Sequence, residues 1–162
     1  MTIARKARIF WPVFLLLFLA DCTTKGLAET HLAWSVPESV IGDFFRFTLG
    51  YNPGAALGIS VGEHSRIFFS LTAAIIVIVL TQIYRRADAR STIVGLSVGL
   101  LIGGALGNLY DRLRSPRGVV DFIDIGIGDV RFWTFNVADI GICVGGVLLA
   151  WYLSSVPESK PT

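Results

Sequence analysis

The chain has 162 residues, of which 53% are hydrophobic and 16% charged, with a formal net charge of +2. A mean hydropathy of +0.65 excludes an ordinary soluble domain and points to an integral membrane protein. The small positive charge gives no sign of a nucleic-acid partner. Cys22 and Cys143, both in apolar stretches, make neither a disulfide framework nor a zinc site.

Four apolar segments follow in chain order, over about 9–27, 67–84, 92–112 and 137–154. Each comes close to the roughly 20 residues that a spanning helix needs. They predict one membrane-embedded domain, 1–162, built as a four-helix bundle. The connections 28–66 and 113–136 are long, and Gly and Pro punctuate strand candidates at 44–52, 57–61, 118–124 and 129–135. A small β-platform is expected there, with Phe44, Phe45, Phe47, Trp133 and Phe135 at headgroup level. The tail "SSVPESKPT" reads as a short disordered end.

Orientation rests on Lys and Arg in the flanks. The 14 basic residues divide evenly. One half (Arg5, Lys6, Arg8, Arg85, Arg86, Arg90, Lys160) is crowded into short flanks, and the other is spread through the long connections. Density therefore predicts cytoplasmic termini and two outer loops.

With that topology the polar residues converge. Asp21, Thr24 and Lys25 close the first helix, Asn108, Asp111 and Arg112 close the third, and Asn136 and Asp139 open the fourth. All fall at the outer end. Simpler readings exist for each. Asn136 and Asp139, three apart, suit an N-cap with a first-turn acid. Asp21 and Lys25, four apart, suit an interfacial ion pair. Arg112 suits a side chain snorkelling to headgroups. Asp124 and Asp129 suit solvated loop positions, whereas Asp121, enclosed in "GVVDFI", needs a partner.

"YNPGAALGI" (51–59), "GGALGNLYDRLRSPRGVVDFID" (103–124) and "FNVADIGICVGG" (135–146), with "DCTTK" (21–25), resemble the signature blocks of the bacterial lipoprotein signal peptidases, signal peptidase II. The resemblance implies an inner-membrane aspartic endopeptidase, multi-pass and with its site near the outer face. It implies cleavage of diacylated prolipoproteins before the lipidated cysteine. Asp121 and Asp139 match the catalytic pair, and Asp21, Asn52, Asn108, Arg112 and Asn136 match supporting or substrate-binding positions. No metal or cofactor is implied. The expected partners are prolipoprotein and membrane lipid, with a monomeric chain.

Two carboxylates held close cannot both ionise cheaply, so such a pair shares a proton. One member activates water and the other hydrogen-bonds the scissile carbonyl. Three other motifs are weaker. "GLSVG" (95–99) fits a serine-hydrolase elbow, but Ser97 lies toward the cytoplasmic side, far from His31 and His64. Tyr110-Asp111 and "GIGD" (126–129) imitate the paired motifs of another intramembrane protease class, yet both flank one loop. "LADC" (19–22) imitates a lipobox, yet three further spans follow it. The remaining alternative is a small transporter or channel with proton- or cation-binding acids, which predicts acids at mid-depth.

Overall fold

Apolar runs that cannot shed their backbone polarity into lipid must become helices. The computed structural model describes residues 4–54 and 62–155. It contains α1 (Arg5–His31), α2 (Ser65–Arg86), α3 (Thr92–Arg114) and α4 (Val137–Ser155), each long and apolar enough to cross a membrane. With 27 residues, α1 is about 40 Å long.

Helix α3 is the axle of the bundle, and small residues make it so. Gly95, Gly99 and Gly103 lie one turn apart and face α1, so that a Cβ at each would meet a carbonyl oxygen: Lys6 at 2.6 Å, Phe10 at 3.1 Å and Phe14 at 3.1 Å. Gly104 faces the other way, where a Cβ would meet the Ala138 carbonyl of α4 at 2.5 Å. Backbones approach this closely only without side chains between them. Helix α2 covers α3 with one face, and Leu80 joins Phe10, Val94, Val98, Ile102 and Leu149 in the core. Its other face exposes Ile67, Leu71, Ile75 and Ile78, a stripe suited to lipid.

Helix α1 runs past the expected 9–27 at both ends, because hydropathy tracks only the lipid-facing part of a helix. At its start Lys6 is buried, and its ammonium donates to the Tyr84 and Ala87 carbonyls at 2.6 and 2.5 Å. Those are end carbonyls of α2 that need a donor. At its other end Ala28 packs with Leu49, Val120 and Phe122 beneath the sheet.

That sheet is antiparallel, in the order β1 (Pro37–Ile41), β2 (Phe45–Asn52), β3 (Val119–Ile127), β4 (Val130–Arg131). The expected strands at 44–52 and 118–124 are present, the latter extended to Ile127. The strand expected over 129–135 is reduced to two residues, with Phe135 forming a lone bridge to Ile123. The candidate at 57–61 lies outside the described residues. Strand β1 was not expected: "PESVI" opens with proline and is exposed throughout, as only an edge strand tolerates.

The glycine stripe gives a direct test. Gly99→Leu is expected to cost about 1–3 kcal/mol by overpacking the α1 contact. Gly146→Leu, where no atom lies within 4 Å, should stay within about 0.5 kcal/mol. Melting temperatures in detergent compare the two.

Candidate active site

Strand β3 alternates as a pleated strand must. Val120 and Phe122 point into the core beneath the sheet, while Val119 and Asp121 line a cavity of about 440 Å³. The backbone of Phe135 is stitched to β3 by Phe122 N–H and Ile123 N–H donating to its carbonyl at 3.0 and 2.8 Å. Its own N–H returns to the Ile123 carbonyl at 3.0 Å. This stitch starts α4 beside Asp121. Asn52, Asn108, Arg112, Asp121 and Asp139 all line the same cavity.

Asn136 joins the two acids. Its side-chain amide donates to Asp121 Oδ1 at 2.7 Å and to the Val120 carbonyl at 3.3 Å. Its Oδ1 accepts the Asp139 N–H at 3.0 Å, and its own N–H donates to Asp139 Oδ2 at 3.2 Å. The last two bonds form a reciprocal capping arrangement at the start of α4. The N-cap reading and membership of one polar site are therefore compatible, since the cap uses one oxygen of Asp139 and leaves Oδ1 to accept from Asn108 Nδ2 at 2.9 Å.

Asp121 is 4% exposed, and Asn52 Nδ2 donates to its Oδ2 at 3.3 Å. Burial first, and the Asp139 charge second, push its carboxyl up from 3.8 to about 7, against the hydrogen bonds from Asn136 and Asn52. Such a group holds a proton near neutrality. Arg112 does not snorkel. It is 8% exposed and donates to the Asn108 carbonyl at 3.1 Å and the Gly54 carbonyl at 2.5 Å. Its Nε has no hydrogen-bond partner among the described residues. Gly54 N–H in turn donates to Asn52 Oδ1 at 2.9 Å, so Asn52 and Arg112 together hold the 52–54 turn at the cavity.

Asp21 lies outside the cavity lining, behind it. The Asp21–Lys25 pair exists at 2.7 Å, but it is fully buried rather than interfacial, and Asp111 joins it at 2.9 Å. Lys25 was legible as a partner of Asp21 and Asp111 as a polar residue at the same depth, and the meeting of Lys25 with Asp111 needed the helix packing. Phe132, Trp133, Thr134, Ile140, Cys143 and Val144 complete the cavity wall. The spacing of Asp139, Ile140, Cys143 and Val144, three and four apart, was the available signal for a shared helix face. Ser97 is buried against α4 and bonds only its own helix, to the Val94 carbonyl at 3.5 Å.

Asp124 is a correction. It is 4% exposed, not solvated, and takes bonds from Arg46 at 3.0 Å, Thr48 at 2.8 Å and Arg131 at 2.6 Å. Asp129 is exposed as expected.

Residues 13–155 match the family model for Signal peptidase (SPase) II. The chain belongs to that family. It is 40% identical to the lipoprotein signal peptidase of Coxiella burnetii, over 98% of this chain and 99% of that protein. It is also 40% identical to the Photorhabdus laumondii lipoprotein signal peptidase, over 94% and 91%. A bacterial membrane enzyme solved by the in meso method at 2.3 Å superposes with a TM-score of 0.80 at 31% identity, over 94% of this chain and 93% of that one. The enzyme is thus a multi-pass bacterial membrane protease that processes lipoprotein signal peptides.

The Asp124 cluster predicts a pH-dependent stability difference. Burial raises its pKa, but the bonds from Arg131, Thr48 and Arg46 outweigh burial and hold it below the ordinary 3.8. A depressed carboxyl stabilises the fold above the unfolded pKa and loses that contribution as pH falls through the folded one. Asp124→Asn should therefore lower stability at pH 7 by about 1–3 kcal/mol, with the gap from the parent closing below about pH 4. Asp129→Asn should change it by less than about 0.5 kcal/mol. Thermal melts across pH read both.

Proposed function

We propose that Asp121 and Asp139 are the catalytic pair of an aspartic endopeptidase that cuts diacylated prolipoprotein immediately before its lipidated cysteine. The carrying observation is the bridge through Asn136, whose side-chain amide donates to the Asp121 carboxylate and whose backbone N–H donates to the Asp139 carboxylate, both acids lining one cavity. The apolar wall of Ile140, Cys143 and Val144 suits acyl chains entering from the bilayer, and Ile140 and Val144 are each 46% exposed.

The proton then belongs on Asp121, whose carboxyl titrates near 7. Asp139 takes a proton from water as the water oxygen attacks the scissile carbonyl carbon. Asp121 hydrogen-bonds the carbonyl oxygen that becomes negative. On collapse the C–N bond breaks and the leaving amine takes the proton from Asp139, which returns the pair to its starting state. Arg112 and the 52–54 turn offer donors and acceptors to the substrate backbone, whose polar groups need partners so near lipid. We read the chain as a monomer that acts as a single peptidase domain. Cytoplasmic termini would set the site at the outer face, where the modified precursor is presented.

Asp121→Asn and Asp139→Asn should each reduce cleavage by roughly 10⁴-fold or more, read as loss of the gel shift of a diacylated prolipoprotein, with unlipidated precursor as the uncut control. Wild-type turnover in either variant would refute the pair. Stability supplies a second readout. The unfolded chain ionises Asp121 near 3.8 and the folded chain near 7, so ionisation destabilises the fold as pH rises between them. Asp121→Asn removes that cost and should melt no lower than the parent at pH 8. The alkaline limb of kcat/KM should fall near pH 7, as the shared proton is lost.

A further inference from the structure

Behind the cavity, Lys25 is 1% exposed and has three partners: Asp21 Oδ2 at 2.7 Å, Asp111 Oδ2 at 2.9 Å and Asn108 Oδ1 at 2.8 Å. An ammonium has three protons and no acceptor, and here it hydrogen-bonds the Asn108 oxygen and lies in ion-pair contact with both carboxylates, Asp21 Oδ2 being held by charge without a hydrogen-bond partner among the described residues. Each partner also reaches forward. Asp21 Oδ1 accepts the N–H of Ala138, the residue before Asp139, at 2.8 Å. Asp111 Oδ2 accepts the N–H of Val120, the residue before Asp121, at 3.2 Å. Asn108 Nδ2 donates to Asp139 Oδ1 at 2.9 Å.

We infer that Lys25 is a positioning residue that sets the geometry of the acid pair from behind, through Asn108 and through the backbones of β3 and α4. The inference rests on reading Asp121 and Asp139 as that pair. Its logic starts from the donor-only character of Lys25. An amide has one acceptor end and one donor end. Facing an ammonium, Asn108 must turn its oxygen toward Lys25, and its NH₂ is left for Asp139. Asn136 Nδ2 reinforces the same orientation by donating to Asn108 Oδ1 at 3.2 Å. Without the ammonium, the Asn108 oxygen loses its charged donor and keeps only the longer bond from Asn136, so the amide that meets Asp139 is held less firmly. The two acids of the cluster, meanwhile, fix the peptide just before each member of the pair. Lys25 does not itself line the cavity and reaches it through Asn108, so its effect on turnover passes through others.

The surrounding charges come from α1 (Asp21, Lys25), α3 (Asp111, Arg112, Arg114), α4 (Asp139) and β3 (Asp121). Arg114 Nε lies 3.5 Å from Asp111 Oδ1 and is shared with Glu29. Removing Lys25 alone leaves Asp21 and Asp111 buried beside each other, so Lys25→Met has a folding risk. Lys25→Met combined with Asp111→Leu removes one charge of each sign and keeps the cluster's net charge.

Both variants are purified in detergent. Their folded sites are counted by titration with a diacylated lipopeptide whose scissile amide is reduced to a methylene-amine, and cleavage of the intact lipopeptide gives kcat and KM per counted site. A positioning role predicts kcat lower by roughly 10- to 100-fold, with KM within about twofold of the parent, in whichever variant folds. Wild-type kcat per counted site would overturn it, since a purely structural lysine changes only the number of sites. Failure of the double variant to insert or to bind the reduced analogue would also overturn it, by assigning the cluster to folding alone. Asp121→Asn and Asp139→Asn are run alongside. If they retain turnover, the acid pair itself fails, and if they do not while the Lys25 variants turn over normally, only the role of Lys25 fails.

Discussion

Charge taken out of water at the edge of a bilayer has to be answered by donors and acceptors within the protein. At the end of the bundle that carries the sheet, Asp21, Lys25, Asn108, Asp111, Arg112, Asp121 and Asn136 are all buried. They come from α1, α3, β3 and the approach to α4, so none of these elements can be placed independently of the others. The helix packing that brings them together is set lower in the membrane. Gly95, Gly99 and Gly103 let α1 touch the backbone of α3, and Gly104 does the same for α4. Close approach there makes bond-length contact possible here. Gly107 belongs to both levels, because a side chain in its place would collide with the Asp21 carboxylate.

The polar site has a front and a back with different chemistry. At the back, Lys25 is ion-paired with two carboxylates and hydrogen-bonded to the Asn108 amide, and the other bonds of the two carboxylates end on backbone N–H groups. That is a network of charges cross-linking α1, α3, β3 and α4, which rigidifies. At the front, the cavity is walled by Phe132, Phe135, Ile140 and Val144 around the two acids, and Arg112 keeps one buried N–H without a partner among the described residues. Polar groups beside an apolar wall are the usual make-up of a cavity that binds a ligand.

The four spans were legible because hydropathy is summed over twenty residues and survives local exceptions. The central strands were legible from alternation, as in "GVVDFI". What escaped was whatever depended on partners distant in sequence. Strand β1 carries no pattern of its own and exists because β2 offers an edge to it. Asp124 looks like a loop acid until Arg46, from 78 residues away, and Arg131 are found against it. The site shows the same division. Asp121 stood out because its immediate neighbours are apolar, and Asp139 because it opens an apolar helix. Lys25 sat four residues from an acid and so had an adequate local explanation, which hid its bonds to Asp111 and Asn108. The family resemblance covered "DCTTK" but gave a role to Asp21 and none to that lysine.

A helix cap and an acid pair make opposite demands on the same residue, and the geometry at Asn136 reconciles them. Capping needs a side-chain oxygen directed at the first free N–H groups, and Asn136 Oδ1 supplies it to Asp139. Orienting a carboxylate from a neighbouring strand needs a donor, and the Nδ2 of the same amide supplies it to Asp121. Aspartate in place of Asn136 would still cap but would set a third carboxylate against Asp121. Serine would cap but lacks the second nitrogen. Only an amide offers both ends at once, and only an asparagine is short enough for the N-cap position. The start of α4 is thereby both a structural terminus and half of the site, which explains why the two readings of Asn136 and Asp139 could not be separated by spacing alone.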